Sequence, residues 1–86
     1  DLHRAAGRRL DHVNMAGALL QGSILEGLTL ADGTLAGANL SHARLRGATL
    51  KNVALTGSLW LGVDARDSDL RRLRFDGVSL AGADLR

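Results

Sequence analysis

The chain has 86 residues and a net charge of +2; 45% of it is apolar, yet it holds one Trp, one Phe and no Tyr. A length of this order holds one domain, expected over residues 1–86, and a core so poor in rings has to be built from leucine-sized aliphatic groups. The lack of cysteine excludes a disulfide framework and thiolate metal sites and suits a reducing, cytoplasmic setting, and no run reaches the roughly 18 apolar residues that span a bilayer.

The chain is ordered by a period of five. Every residue whose number divides by five is apolar, from Ala5 and Leu10 to Leu80 and Leu85. Two places before each of these centres, 13 of 17 residues are Gly, Ala, Ser or Val, as at Ala38, Ala43, Ala48, Val53 and Ser58. Two places after the centres fall 10 of the 11 glycines, which supply a permissive backbone for a repeated corner. Of the 20 Asp, Glu, Lys and Arg residues only Arg8 enters the first two sets, so charge avoids two phases of the period. In chain order this predicts short straight segments centred on Leu10, Met15, Leu20 and Leu25, then on Leu30, Leu35, Leu40 and Leu45. The next segments centre on Leu50, Leu55, Trp60 and Ala65, and the last on Leu70, Phe75, Leu80 and Leu85.

An α-helix would scatter these centres, because five residues turn it by about 140°. A straight strand would throw alternate centres onto opposite faces. A chain that turns through about 90° every five residues aims all of them at one axis, and four segments then close one coil. Runs such as Ala38-Asn39-Leu40-Ser41, Ala48-Thr49-Leu50-Lys51 and Ala83-Asp84-Leu85-Arg86 resemble the A(D/N)LXX consensus of the pentapeptide-repeat family. The resemblance covers essentially the whole chain and implies an all-β fold, a right-handed quadrilateral parallel β-helix of about four coils.

Departures from the pattern carry their own expectations. His3 and Arg8 occupy the small inward position, where a guanidinium has no room, so residues 1–10 are expected to fray or to cap the axis. Leu28 and Leu73 are oversized there, and Gly33 stands next in phase to relieve Leu28. Trp60 has two readings: an inward indole exchanging volume with Ala65, the next centre in its coil, or an indole turned outward; the first is preferred. Because nothing after Leu85 reads as a cap, the sequence is also expected to be a piece of a longer solenoid or to abut another domain.

Stacked coils place residues one coil apart about 4.8 Å from each other, so outward columns can be read directly. Arg46, Arg66 and Arg86 form a basic column, and Lys51 and Arg71 a shorter one on the next face. Several cations in line suit an acidic partner or nucleic acid, but Asp64, Asp69 and Asp84 oppose them, which favours solvated ion pairs over direct nucleic-acid binding. Leu19 and Leu59 share a column flanking Asn39, Leu61 lies on the same face, and Ile24 is around the corner; outward aliphatics here suggest a buried contact.

Catalysis requires a nucleophile and base, or metal ligands, to converge. His12 and His42 share a phase but fall on opposite sides, while Ser23, Ser58 and Ser68 sit in the inward small position. The glycines are spread over corners rather than gathered before a helix, unlike a phosphate-cradling loop. The expectation is a non-catalytic module without cofactor or metal that presents a rigid patterned surface to a protein partner, an adjoining domain or a second copy of itself. The resemblance also implies an alternative, a DNA mimic that binds DNA gyrase as quinolone-resistance members do, although a net charge of +2 is a poor match to an acidic duplex-like surface.

Overall fold

Five-residue spacing keeps the leucines together only if the chain turns, and the computed structural model, which describes residues 6–86, shows how it does so. The chain forms a four-sided parallel β-helix. Its first face carries three short strands, β1 (Arg9–Asp11), β2 (Thr29–Ala31) and β3 (Thr49–Lys51), paired in parallel with Leu10 opposite Leu30 and Leu30 opposite Leu50. The other faces are narrower, with one bridge per coil. Asn14, Thr34 and Ala54 line the second face; Leu19, Asn39, Leu59 and Ser79 the third; Ile24, Arg44, Asp64 and Asp84 the fourth.

Most corners are four-residue turns in which the N–H two places before a centre donates to the preceding centre's carbonyl, as from Ala38 to Leu35 at 2.9 Å and from Ala43 to Leu40 at 2.8 Å. The residue before that donor has positive φ, and the second corner meets this with an unbroken column of glycines, Gly17, Gly37, Gly57 and Gly77. The first corner instead uses His12, Asp32 and Asn52 at φ 54–57°, residue types enriched in the left-handed region, and Nδ2 of Asn52 donates to Oδ1 of Asp32 at 2.9 Å. Gly33 lies off the corners: a Cβ there would stand 2.5 Å from the Val13 carbonyl oxygen. Its missing side chain is therefore required by stacking, and Leu28 is buried in its own right.

The axis is filled in layers. Leu30, Leu35, Leu40 and Leu45 are buried, as are Leu50, Leu55, Trp60 and Ala65 below them. Trp60 is fully buried, in agreement with the inward reading, and pairs with the equally buried Ala65 in one layer. A buried indole N–H needs a partner, and Nε1 of Trp60 donates to Oγ of Ser58 at 3.0 Å. Ser23 and Ser68 donate instead to the carbonyls of Leu20 and Ala65, so the inward serines fill space and satisfy polar groups. In the last layer Leu70, Phe75 and Leu80 are half-buried and Leu85 is exposed. Of the stretch expected to fray or cap, residues 1–5, including His3, lie outside the described residues. Within the rest of that stretch the chain is paired to the next coil, with Gly7 N–H on the Glu26 carbonyl and Thr29 N–H on the Arg8 carbonyl, both at 2.8 Å, and the Arg8 side chain is exposed.

Candidate interaction surfaces

The outward side chains follow from position within each segment: the residues flanking a centre point away from the axis. On the third face Leu19 and Leu59 flank Asn39 in one ladder, and Leu61 lies two residues beyond Leu59. Their exposures are 69%, 36% and 37%, and the other large exposed apolar residue among those described is Leu85 at the end of the axis. Ile24 sits on the fourth face, half-buried and bridged to Arg44, so it borders this patch without extending it.

The fourth face carries the basic column. Gly27 N–H meets the Arg46 carbonyl at 3.0 Å, Gly47 that of Arg66 at 3.0 Å and Asp67 that of Arg86 at 2.7 Å, which stacks the three arginines coil upon coil. Arg66 and Arg86 are bidentate to the carboxylates two residues earlier: Nε to Oδ1 and Nη2 to Oδ2 at 2.8 and 2.9 Å for Arg66 on Asp64, and at 2.9 and 2.7 Å for Arg86 on Asp84. Arg71 grips Asp69 in the same way on the first face, and Arg46 lies 3.5 Å from Asp67. Each of these three bidentate aspartates also accepts the backbone N–H of its arginine. The guanidinium hydrogen bonds hold Asp64 and Asp69 below the usual carboxylate range and bring Asp84 down to about 2. Arginines already neutralised within the chain are poor counterion-displacing contacts for a phosphate backbone.

Lys51 and Arg71 are placed differently from the simple column. The ladder on the first face runs through Leu50 N–H to the Asp69 carbonyl at 3.0 Å and then parts, so these two residues line opposite sides of a gap. The gap continues round the first corner onto the second face, where Ala54 bridges to Thr34 above but not to Arg74 below, and it closes again where Leu59 meets Ser79. Arg72 and Arg74 on its lower rim escape a reading by columns, because they stand in a corner and an ordinary outward position. The visible signal is the run Arg71-Arg72-Leu73-Arg74-Phe75, which puts oversized Leu73 and Phe75 in consecutive inward positions. On this side Phe75 meets Trp60 edge-on, with centroids 5.8 Å apart and planes at 82°.

No group of three or more His, Asp or Glu side chains that would hold a metal occurs among the described residues. His12 and His42 occupy diagonally opposed corners, and the His42 ring lies over Gly62, where an added Cβ would be 2.6 Å from Nδ1. No helix is long and apolar enough to cross a membrane among the described residues.

Pentapeptide repeats match the chain in eight copies over residues 14–52 and 50–86. The chain belongs to the pentapeptide-repeat family. Its fold is the right-handed quadrilateral β-helix of that family. Among solved structures, QnrB1 (M102R, trypsin-treated), a plasmid-mediated fluoroquinolone resistance protein, superposes with a TM-score of 0.91 at 23% identity, over 100% of this chain and 43% of that one. A pentapeptide-repeat protein, Rfr23, from the cyanobacterium Cyanothece 51142 gives 0.76 at 23% identity over 94% and 58%. A further one, alr5209 from Nostoc Pcc 7120, gives 0.59 at 27% identity over 98% and 65%. The chain thus spans less than two thirds of the length of each of these pentapeptide-repeat structures. No curated protein matches it.

Proposed function

We propose that this chain is a non-catalytic protein-interaction module whose third face, centred on Leu19, Leu59 and Leu61, docks a protein partner, an adjoining domain or a second copy. The observation that carries this reading is the placement of those three exposed leucines on one face, while the other lateral large aliphatics among the described residues are wholly or partly buried. A solenoid of this kind accepts any polar residue at an outward position, so grouped leucines there cost solubility unless something covers them. Neutralised arginines on the fourth face supply a polar rim rather than a binding charge.

The test is sedimentation across a concentration series for the native chain and for a variant with Leu19, Leu59 and Leu61 all changed to Ser. The native chain is expected to associate with itself or with its partner, and the variant to lose that association at least tenfold. Unchanged mass and unchanged partner binding would overturn the role of this face.

The rival reading, a gyrase-directed DNA mimic, draws on the resemblance of this chain to quinolone-resistance proteins, but a net charge of +2 and the paired arginines at 66 and 86 weigh against an acidic stripe. Calorimetry against purified gyrase separates the two: saturable binding competed by linear DNA would favour the mimic.

A further inference from the structure

The gap between the third and fourth coils on the second face is a set of backbone groups left without partners. One coil earlier, Asp32, Leu35 and Gly37 donate their N–H groups to the carbonyls of Lys51, Ala54 and Thr56 at 3.0, 2.7 and 2.9 Å, and Ala54 N–H donates to the Gly33 carbonyl at 3.2 Å. Moved on by one coil, the same bonds would join Asn52, Leu55 and Gly57 to Arg71, Arg74 and Asp76, and Arg74 to Val53. None of these four forms among the described residues. In their place lies a groove of ≈ 450 Å³ bordered by Asn52, Ala54, Thr56, Arg72 and Arg74, continuous at Arg72 with a second hollow of ≈ 270 Å³ that Lys51 and Arg71 line.

Three properties of the gap select its occupant. It offers both donors (the N–H groups of Asn52, Leu55 and Gly57) and an acceptor (the Val53 carbonyl), which an extended peptide main chain satisfies and a phosphodiester, having acceptors alone, does not. It is short, bounded on both sides by closed ladder. Its rim carries more positive than negative charge: Lys51, Arg71, Arg72 and Arg74 stand against Asp32 and Asp69, and Lys51, Arg72 and Arg74 take part in no ion pair among the described residues, whereas Arg71 is held by Asp69. We propose that the parted ladder between residues 52–57 and 71–76 is a docking groove for an extended acidic segment of a partner protein. The segment's main chain pairs with the freed N–H and C=O groups, and its carboxylates meet Lys51, Arg72 and Arg74. The proposal rests on the reading of this chain as a protein-binding module and gives it a second surface, a quarter-turn from the leucine face.

The test is a titration of the ¹⁵N-labelled whole chain with a capped eight-residue peptide alternating Glu and Val, followed by amide NMR. Before any peptide is added, the amides of Leu55 and Gly57 should exchange at least tenfold faster than those of Leu35 and Gly37; equal protection would mean that the ladder is closed and would overturn the proposal. On titration the signals of Asn52, Leu55 and Gly57 should shift saturably, and Arg72→Gln with Arg74→Gln should weaken the binding at least tenfold while the signals of Leu30 and Leu40 stay in place. The same peptide N-methylated at alternate residues should lose most of its affinity. Silent signals at millimolar peptide, an unaffected double variant, or an equal response to an eight-nucleotide oligothymidylate or to inorganic phosphate would each overturn it. Failure here with the triple leucine variant still losing association leaves the module reading intact. Groove binding combined with an inert leucine face would instead move the interaction to this groove.

Discussion

Two faces of the same pair of coils behave in opposite ways. On the fourth face the ladder stays shut through Ile24, Arg44, Asp64 and Asp84, and on the second it stops at Ala54 before reaching Arg74. The closed side carries aspartates one place before the centre, and each accepts the N–H of the residue two places on, which pins the strand into the following corner. The same device operates at Asn14, Thr34 and Asn39, and it is missing at Ala54 and Arg74, which have no acceptor to offer. Inside, the closed side has Ala65, the smallest centre of its layer, while the open side has Phe75 pressed edge-on against Trp60. Of the two rungs compared, the closed one at Asp64 and Asp84 thus has both a secured turn and a small centre, and the open one at Ala54 and Arg74 has neither.

The largest effect that sharpens this comparison is on stability. Leu40→Ala, within the closed all-leucine layer, is expected to cost about 3 kcal/mol, whereas Phe75→Ala below the gap should cost only about 1.5 kcal/mol despite the larger side chain. Urea unfolding decides this, and equal costs would mean that the two layers are equally well packed. Next comes Trp60→Leu, which removes the edge-on contact with Phe75: Leu55 and Gly57 amides are expected to gain roughly tenfold protection from exchange as the ladder closes, and no gain would assign the gap to Arg74 alone. The smallest effect concerns the closed face. With the Asp84 carboxyl lowered from its usual value to about 2 by the Arg86 hydrogen bonds, its support for the fold is complete above about pH 4 and is lost as pH falls toward 2. Carboxyl NMR should place its midpoint well below the ordinary aspartate value of 3.8, and a midpoint at that ordinary value would argue against the pin.

Much of the fold was legible in the residues. Five-residue spacing with small residues two places before each centre leaves one geometry that turns every centre toward a common axis, and Trp60 could be assigned inward because Ala65 offers compensating volume. The partner of its indole, Ser58, was less visible, since a serine in an inward position reads first as a space-filler. Leu19, Leu59 and Leu61 fall on one face by counting alone. Arg72 and Arg74 escaped because a column reading assumes that every rung is paired, and that assumption fails at the rung they border.

What the sequence determined by itself is therefore the axis, the four faces and the order of side chains along each, because these depend on a local period that every coil repeats. Which rung opens was decided by tertiary structure. The volume at a given height of the axis is a sum over side chains from neighbouring coils, Trp60 in one and Phe75 in the next, and neither residue alone shows whether the ladder outside them can close.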